Sequence, residues 1–234
     1  MTVRYHHVTD TGRVRASNQD RVLAEADHGL WAVADGMGGH AGGAEASRIA
    51  CESLSESIGH GMPLTDAFEV AHARVRAVQE DEPSLRDMGT TLVAVHECNG
   101  AFELAWVGDS RVYRLDGSGA FSCLTRDQNV AGRLLDSGHI TEAQAREHPH
   151  RHVLTDCIGQ RQGLPTVDST RVNWHAGDRL LLCSDGLNGE LSDERIASAL
   201  AAADTPRDAA DALVEAALEA GGRDNISLIV LDAP

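Results

Sequence analysis

Four acids in this chain stand where an apolar run meets a turn: Asp35 in LWAVADGMGGH, Asp109 in AFELAWVGDSR, Asp185 in RLLLCSDGL and Asp224 in GGRDNISLIV. The stretch around Asp35 organises the rest. Residues 30–34 form an apolar run short enough for a buried strand, and it stops at an acid followed by Gly36, Gly38 and Gly39. Missing side chains let backbone carbonyls and a hydrated ion or a phosphate approach the carboxylate closely. Taken alone, the stretch also reads as a tight Asp-Gly turn with an exposed acid. Strand ends that share one edge can bring distant acids together, and like carboxylates so gathered repel unless a divalent cation compensates them. An all-oxygen set favours Mg²⁺ or Mn²⁺ over zinc. No D-x-D triplet occurs, so neither an aspartyl-nucleophile phosphatase nor an EF-hand is indicated, and the acids read as metal ligands.

Composition narrows the classes. The chain has 234 residues, 42% of them hydrophobic, enough for one large domain over 1–234 with a sizeable core. Its 36 acids against 20 bases give a net charge of −16, which disfavours a nucleic-acid partner. Every base is Arg, which removes Schiff-base lysine chemistry and a Walker phosphate loop together. Five cysteines without a C-x-x-C pair suggest neither a disulfide framework nor a zinc site, and they fit a reducing cytoplasm. There is no apolar core of signal-peptide length and no membrane-spanning run, so the expected protein is soluble and cytoplasmic; a monomer is expected, although nothing in the sequence fixes the oligomeric state. His6-His7 reads as surface rather than ligand, and no H-E-x-x-H occurs.

Elements that must carry these acids can be read in order. Strands are expected over 3–8 and 21–25, with Arg13, Arg15 and Asp20 around the entrance of the second. Helical spacing predicts amphipathic helices over 46–58 and 64–78. Three strands then read as an antiparallel meander, with hairpin dipeptides at Asn99-Gly100, Gly108-Asp109 and Asp116-Gly117. Arg111 is expected to brace Asp109 or its hairpin. A helical insertion over 128–158, charged and rich in His, reads as a flap or as a packed connector, with a capping box at Thr141 and Gln144. Residues 169–174 and 179–184 read as a strand pair about Gly177-Asp178, before helices over 192–202 and 206–220 and a last strand over 226–231.

The motifs RVRASNQD, DGMGGHAGG, MGTT, GDSRVYRL, LTRD, VLTDCIG, CSDGL and GRDN occur in this order. The series resembles that of the metal-dependent protein Ser/Thr phosphatases, the PPM or type-2C family, in its compact bacterial form, and it covers nearly the whole chain. The resemblance implies an α+β fold, a four-layer α-β-β-α sandwich of two antiparallel sheets. It also implies two Mn²⁺ or Mg²⁺ ions: Asp35 would bridge them, Asp185 and Asp224 would complete the first, and the Gly36 carbonyl and water-held acids would serve the second. Asp20 matches the acid that ends the first motif, Arg15 the arginine that grips the substrate phosphate, and Asp109 an acid that holds a third ion in bacterial relatives. Two cations about 3.5–4 Å apart can hold a water with its pKa lowered and aim it in line at phosphorus, with no covalent phosphoenzyme. The implied substrates are phosphoserine and phosphothreonine in proteins, a Ser/Thr kinase among them.

Three positions depart from the family pattern. Gln19 stands where Glu is usual, Met37 where eukaryotic members have a His proposed as general acid, and Gln128 where a His commonly follows LT-x-D. Two alternatives remain. A phosphoprotein-binding regulator without catalysis would lack a metal acid, and none of Asp35, Asp185 and Asp224 is missing. A metal-dependent hydrolase of small phosphoesters is the other, since the pocket is not legible in sequence.

Overall fold

A computed structural model describes residues 3–38, 42–98 and 101–233. Gly39 and the Asn99-Gly100 turn lie outside the described residues. The chain opens with β1 (Arg4–Asp10), β2 (Arg21–Glu25), β3 (Leu30–Ala34) and β4 (Gly36–Met37), followed by helices α1 (Gly42–Gly59) and α2 (Leu64–Asp81). Next come β5 (Gly89–Thr90), β6 (Leu92–Cys98), β7 (Ala101–Val107), β8 (Arg111–Leu115) and β9 (Phe121–Cys123). Short helices α3 (Val130–Asp136) and α4 (Glu142–Arg146) lead to β10 (Asp168–Asn173) and β11 (Arg179–Cys183). The chain ends with α5 (Asp185–Asn188), α6 (Asp193–Ala202), α7 (Pro206–Ala220) and β12 (Ile226–Asp232).

The strands form two five-stranded antiparallel sheets, β1-β12-β11-β8-β9 and β10-β7-β6-β3-β2, and β4 pairs with β5 in a small ribbon. Alternation along the inner strands explains the layering. Leu30, Ala32 and Ala34 of β3 pack against Leu54 of α1 and Phe68 of α2, while Trp31 and Val33 turn inward to meet Leu180, Leu182 and Ile229 of the other sheet. Leu181 and Cys183 of β11 face the opposite way, onto Leu213 of α7 and Ile196 of α6. A strand covered on both faces reads as a continuous apolar run, which is why β3 and β11 are legible as LWAVA and LLLC. The result is an α-β-β-α sandwich, as expected. Among the described residues, no helix is long and apolar enough to cross a membrane.

Two expected hairpins are corrected. β6 and β7 pair, but the chain leaves their sheet at Val107, and β8 pairs with β11 and β9 instead. The Gly108-Asp109 turn is therefore a crossing between sheets, which carries Asp109 between them. Likewise β10 pairs with β7 and β11 with β12 and β8, so 169–174 and 179–184 serve different sheets. Burial separates them: β10 is a largely exposed edge strand, whereas every residue of β11 is buried. Short helices α3 and α4 fall within 128–158, with the Thr141–Gln144 capping box closed. The short edge strand β9 and the one-turn α5 had no periodicity to announce them.

Candidate functional site

Antiparallel pairing gathers the acids. Ala34 at the end of β3 lies opposite Arg21 at the start of β2, so Asp35 and Asp20 flank one end of that strand pair. In the other sheet Cys183 lies opposite Leu228, which brings Asp185 after β11 and Asp224 before β12 to the matching end. With Asp109 at the crossing, acids from both sheets meet at one end of the sandwich. Asp35, Asp109, Asp185 and Asp224 line a cleft of about 970 Å³ together with Arg15 and Gly36. Asp20 lies behind this lining, where its Oδ2 accepts a 2.8 Å hydrogen bond from the Ser184 hydroxyl.

Backbone hydrogen bonds fix each acid. The Asp35 N–H donates to Thr91 Oγ1 at 3.0 Å, and its carbonyl accepts from the Thr91 N–H and the Thr90 hydroxyl, both at 2.9 Å. Thr91 Oγ1 in turn meets Ser110 Oγ at 2.8 Å, tying the Asp35 turn to the Asp109 crossing. No side chain fits at Gly36, where a Cβ would lie 2.2 Å from the Gly43 carbonyl oxygen and 2.5 Å from that of Gln19. Asn225 holds the Arg15 loop: its Nδ2 donates to the Thr11 and Ser17 carbonyls at 2.9 and 3.0 Å, and its Oδ1 accepts from the Gln19 N–H at 2.9 Å. Asn129 Nδ2 donates to Asp109 at 3.2 Å while its Oδ1 caps α3.

The electrostatics are those of an uncompensated anionic centre. Burial, then Asp20, Asp185, Asp109 and Asp224, hold the Asp35 carboxyl well above the usual carboxylate range. Burial pushes Asp20 up to about 7 against the hydrogen bonding of Ser227 and Ser184, with Asp185 and Asp224 adding to the rise. Burial, with Asp185 and Asp127, likewise pushes Asp109 up to about 7. A group of acids each made harder to ionise by the others is a site where a cation would bind favourably.

As they stand, no three His, Cys, Asp or Glu side chains among the described residues are drawn together tightly enough to hold a metal ion. Two of the acids are met by donors of the chain itself. Arg15 makes a two-point bond to Asp224, Nε to Oδ1 and Nη2 to Oδ2, each 2.7 Å. His152, from the segment after α4, meets Asp185 Oδ2 through Nδ1 at 3.3 Å. The donor set nevertheless fits a hard cation: Asp20 Oδ1 is buried with no hydrogen-bond partner, and the surrounding donors are carboxylate oxygens beside a side-chain-free backbone cradle.

Arg111 is not where it was expected. It makes a two-point bond to Asp127 at 2.7 and 2.8 Å rather than bracing Asp109. Gln128 gains a structural account. Its Oε1 accepts from the Gly108 N–H at 2.9 Å, and its Nε2 donates to Thr166 O at 3.0 Å and Asp168 at 2.9 Å, so a buried amide joins the Asp109 crossing to β10. Thr90, Thr91 and Asn225 belong to motifs noted above, but their positioning work was not legible. His152 was one of several histidines in the insertion, with no signal of its own.

Known proteins resemble the chain throughout. The serine/threonine protein phosphatase PstP of Mycobacterium tuberculosis is 38% identical over 238 residues, spanning 99% of this chain and 45% of the relative; the chain thus spans about half the length of that relative. The serine/threonine phosphatase stp of Listeria monocytogenes is 34% identical, over 96% of this chain and 93% of its own. A crystal structure of the M. tuberculosis phosphatase superposes with a TM-score of 0.90 at 37% identity, covering 100% of this chain and 99% of that one. Another, of the PstP catalytic domain in complex with two manganese ions, gives a TM-score of 0.86 at 36% identity, over 99% and 98% of the two chains. The family model for protein phosphatase 2C matches residues 11–220. With sequence and fold in agreement, the chain belongs to the protein phosphatase 2C family.

Proposed function

We propose that the chain is a protein serine/threonine phosphatase that hydrolyses phosphoserine and phosphothreonine with the help of Mn²⁺ or Mg²⁺. The observation that carries this reading is the gathering of Asp20, Asp35, Asp109, Asp185 and Asp224 at one end of the sandwich, with an orphaned carboxylate oxygen on Asp20. Asp35 would be shared by two ions, Asp185 and Asp224 would complete the first, and Gly36 would serve the second with Asp20 behind it. Asp109 would hold a third. Such ions, when bound, lower the pKa of a water toward neutrality and neutralise charge on phosphoryl oxygens.

The chain's own residues supply position and charge. Thr90 and Thr91 lock the Asp35 backbone, so its carboxylate is presented from a fixed strand end rather than a loose turn. Asn225 pins the loop that carries Arg15. Asp224 engages the Nε–Nη2 edge of Arg15, leaving the N–H groups of Nη1 to meet a phosphate's non-bridging oxygens from a braced guanidinium. Met37 supplies no proton, so it takes no part as a general acid. The insertion bearing α3 and α4 acts as a flap beside the cleft, and the substrates are phosphorylated proteins, a Ser/Thr kinase among them.

Phosphate release from a phosphothreonine peptide and from p-nitrophenyl phosphate, each with Mn²⁺ and then with excess EDTA, tests the proposal. Mn²⁺-dependent turnover of the peptide supports it. Turnover undiminished by EDTA, or of the small ester alone, contradicts it.

A further inference from the structure

A dianionic phosphate entering this cleft meets a wall of carboxylates in a chain of net charge −16, so the cations that greet it are decisive. Among the described residues, four basic side chains line the cleft: Arg15, Arg151, His152 and Arg223. Three are already engaged. Arg15 is bound at two points to Asp224, His152 meets Asp185, and Arg223 is bound at two points to Glu190 at 2.8 and 3.0 Å. Arg151 alone of the four has no acid or other side-chain partner among the described residues, although it is half-buried.

The segment presenting it is anchored. The Arg151 N–H donates to the His148 carbonyl at 3.1 Å, Leu154 bridges to Asn129, and the Thr155 N–H donates to the Gln128 carbonyl at 2.8 Å. The next residue, His152, reaches Asp185, which sets Arg151 one residue from the acid centre. Arg151 also lines a second cavity of about 570 Å³ beneath α3 and α4, so it stands where the two spaces join. Among the described residues no acid of the chain claims its fork, which leaves that fork open to an anion in the cleft.

Resting on the phosphatase reading above, we propose that Arg151 is a second phosphate-binding residue, which takes the substrate phosphoryl group from the insertion side while Arg15 takes it from the loop before β2. Its free fork matches the geometry of two phosphoryl oxygens. Arg126 provides the control, because it is exposed, has no acid partner among the described residues and lines only the second cavity.

The test is calorimetric binding of inorganic phosphate to the Mn²⁺-loaded protein, in the wild type, Arg151→Ala, Arg151→Lys and Arg126→Ala, with Mn²⁺ affinity and circular dichroism measured on each. Expected are a ~10- to 10²-fold weaker phosphate Kd for Arg151→Ala, the size of a lost charge-assisted contact, and partial recovery in Arg151→Lys. Arg126→Ala should match the wild type, and Mn²⁺ affinity and fold should be the same in all four. Phosphate bound equally well by Arg151→Ala overturns the proposal, as does an equal loss in Arg126→Ala, which would show a general charge effect. Weakened Mn²⁺ binding or lost structure in both Arg151 variants would assign the residue to building the centre and overturn it too. If the wild type binds Mn²⁺ but neither binds phosphate nor hydrolyses a phosphopeptide, the phosphatase reading itself fails and takes this proposal with it.

Discussion

The two ends of the β11–β12 pair hold charge in opposite ways. At one end Arg179, itself buried, makes a two-point bond to Asp232 at 2.6 and 3.0 Å and donates to the Leu200 and Ala203 carbonyls at the end of α6, at 2.6 and 3.0 Å. Arg4 adds a third contact to Asp232 at 3.3 Å. Every charge there is answered from within the chain, and the cation also faces the negative end of a helix. At the other end Asp185 and Asp224 meet Asp20, Asp35 and Asp109, and acids outnumber the cations that reach them. The same two strands thus carry a closed ion pair that joins elements and an anionic centre whose acids outnumber the cations that meet them. Buried charge by itself marks neither function nor stability; whether it is answered locally decides which.

Removing one partner at the closed end should give the largest effect. Arg179→Ala strands Asp232 in the core and should cost about 3–5 kcal/mol of stability, read by denaturant unfolding, with kcat per folded molecule close to wild type. At the open end the signs reverse. Asp35→Asn should lower the phosphatase rate by at least about 10²-fold while leaving the melting temperature equal or higher, because it relieves carboxylate repulsion. A large loss of stability in Asp35→Asn would mean that this acid belongs with the closed pair, and the contrast would collapse.

Gln128 sharpens the boundary between the two kinds. It sits beside the acid end but its amide is fully used, so it should behave like the closed end: Gln128→Ala should cost about 2 kcal/mol, from unpaired partners at Gly108 and Asp168, and change Mn²⁺ affinity little. Weakened Mn²⁺ binding with unchanged stability would place it with the open end instead.

The smallest effect concerns a satisfied group far from both. His72, buried in α2, accepts the Gly159 N–H at Nδ1 at 3.1 Å, and burial, with Arg76, lowers its pKa below 6.5. The folded state then binds fewer protons than the unfolded one, so its contribution is present above pH 6.5 and is lost as pH falls from there through the lowered folded value. His72→Gln can still accept from Gly159, and its denaturation midpoint should fall less than the wild type's between pH 7.5 and pH 5.5. Parallel pH profiles would remove His72 from the account.

Sequence and structure agree where local pattern decides and part where partnership does. LWAVA, LLLC and the last strand were legible because burial on both faces leaves a continuous apolar run, and each ends or begins at an acid. The capping box at Thr141 is a four-residue signal and was read correctly. Gly108-Asp109 and Gly177-Asp178 looked like hairpins, because a glycine-acid dipeptide does not reveal which sheet the next strand joins. Asn225 could not be assigned its work from sequence, since its contacts lie more than 200 positions away, at Thr11 and Ser17. Arg111 bonds both oxygens of Asp127, 16 positions on, rather than its neighbour Asp109, which accepts from Asn129 at the crossing; nearness in sequence did not single out the partner.

The central claim, that the open end of the sandwich is a divalent-metal centre, is tested most directly by calorimetric titration of Mn²⁺ into the metal-stripped wild type, Asp35→Asn and Arg179→Ala. The account predicts saturable binding of at least two ions by the wild type, loss of most of that binding in Asp35→Asn, and wild-type binding by the folded fraction of Arg179→Ala. No saturable binding by the wild type, or binding that survives Asp35→Asn intact, would contradict it.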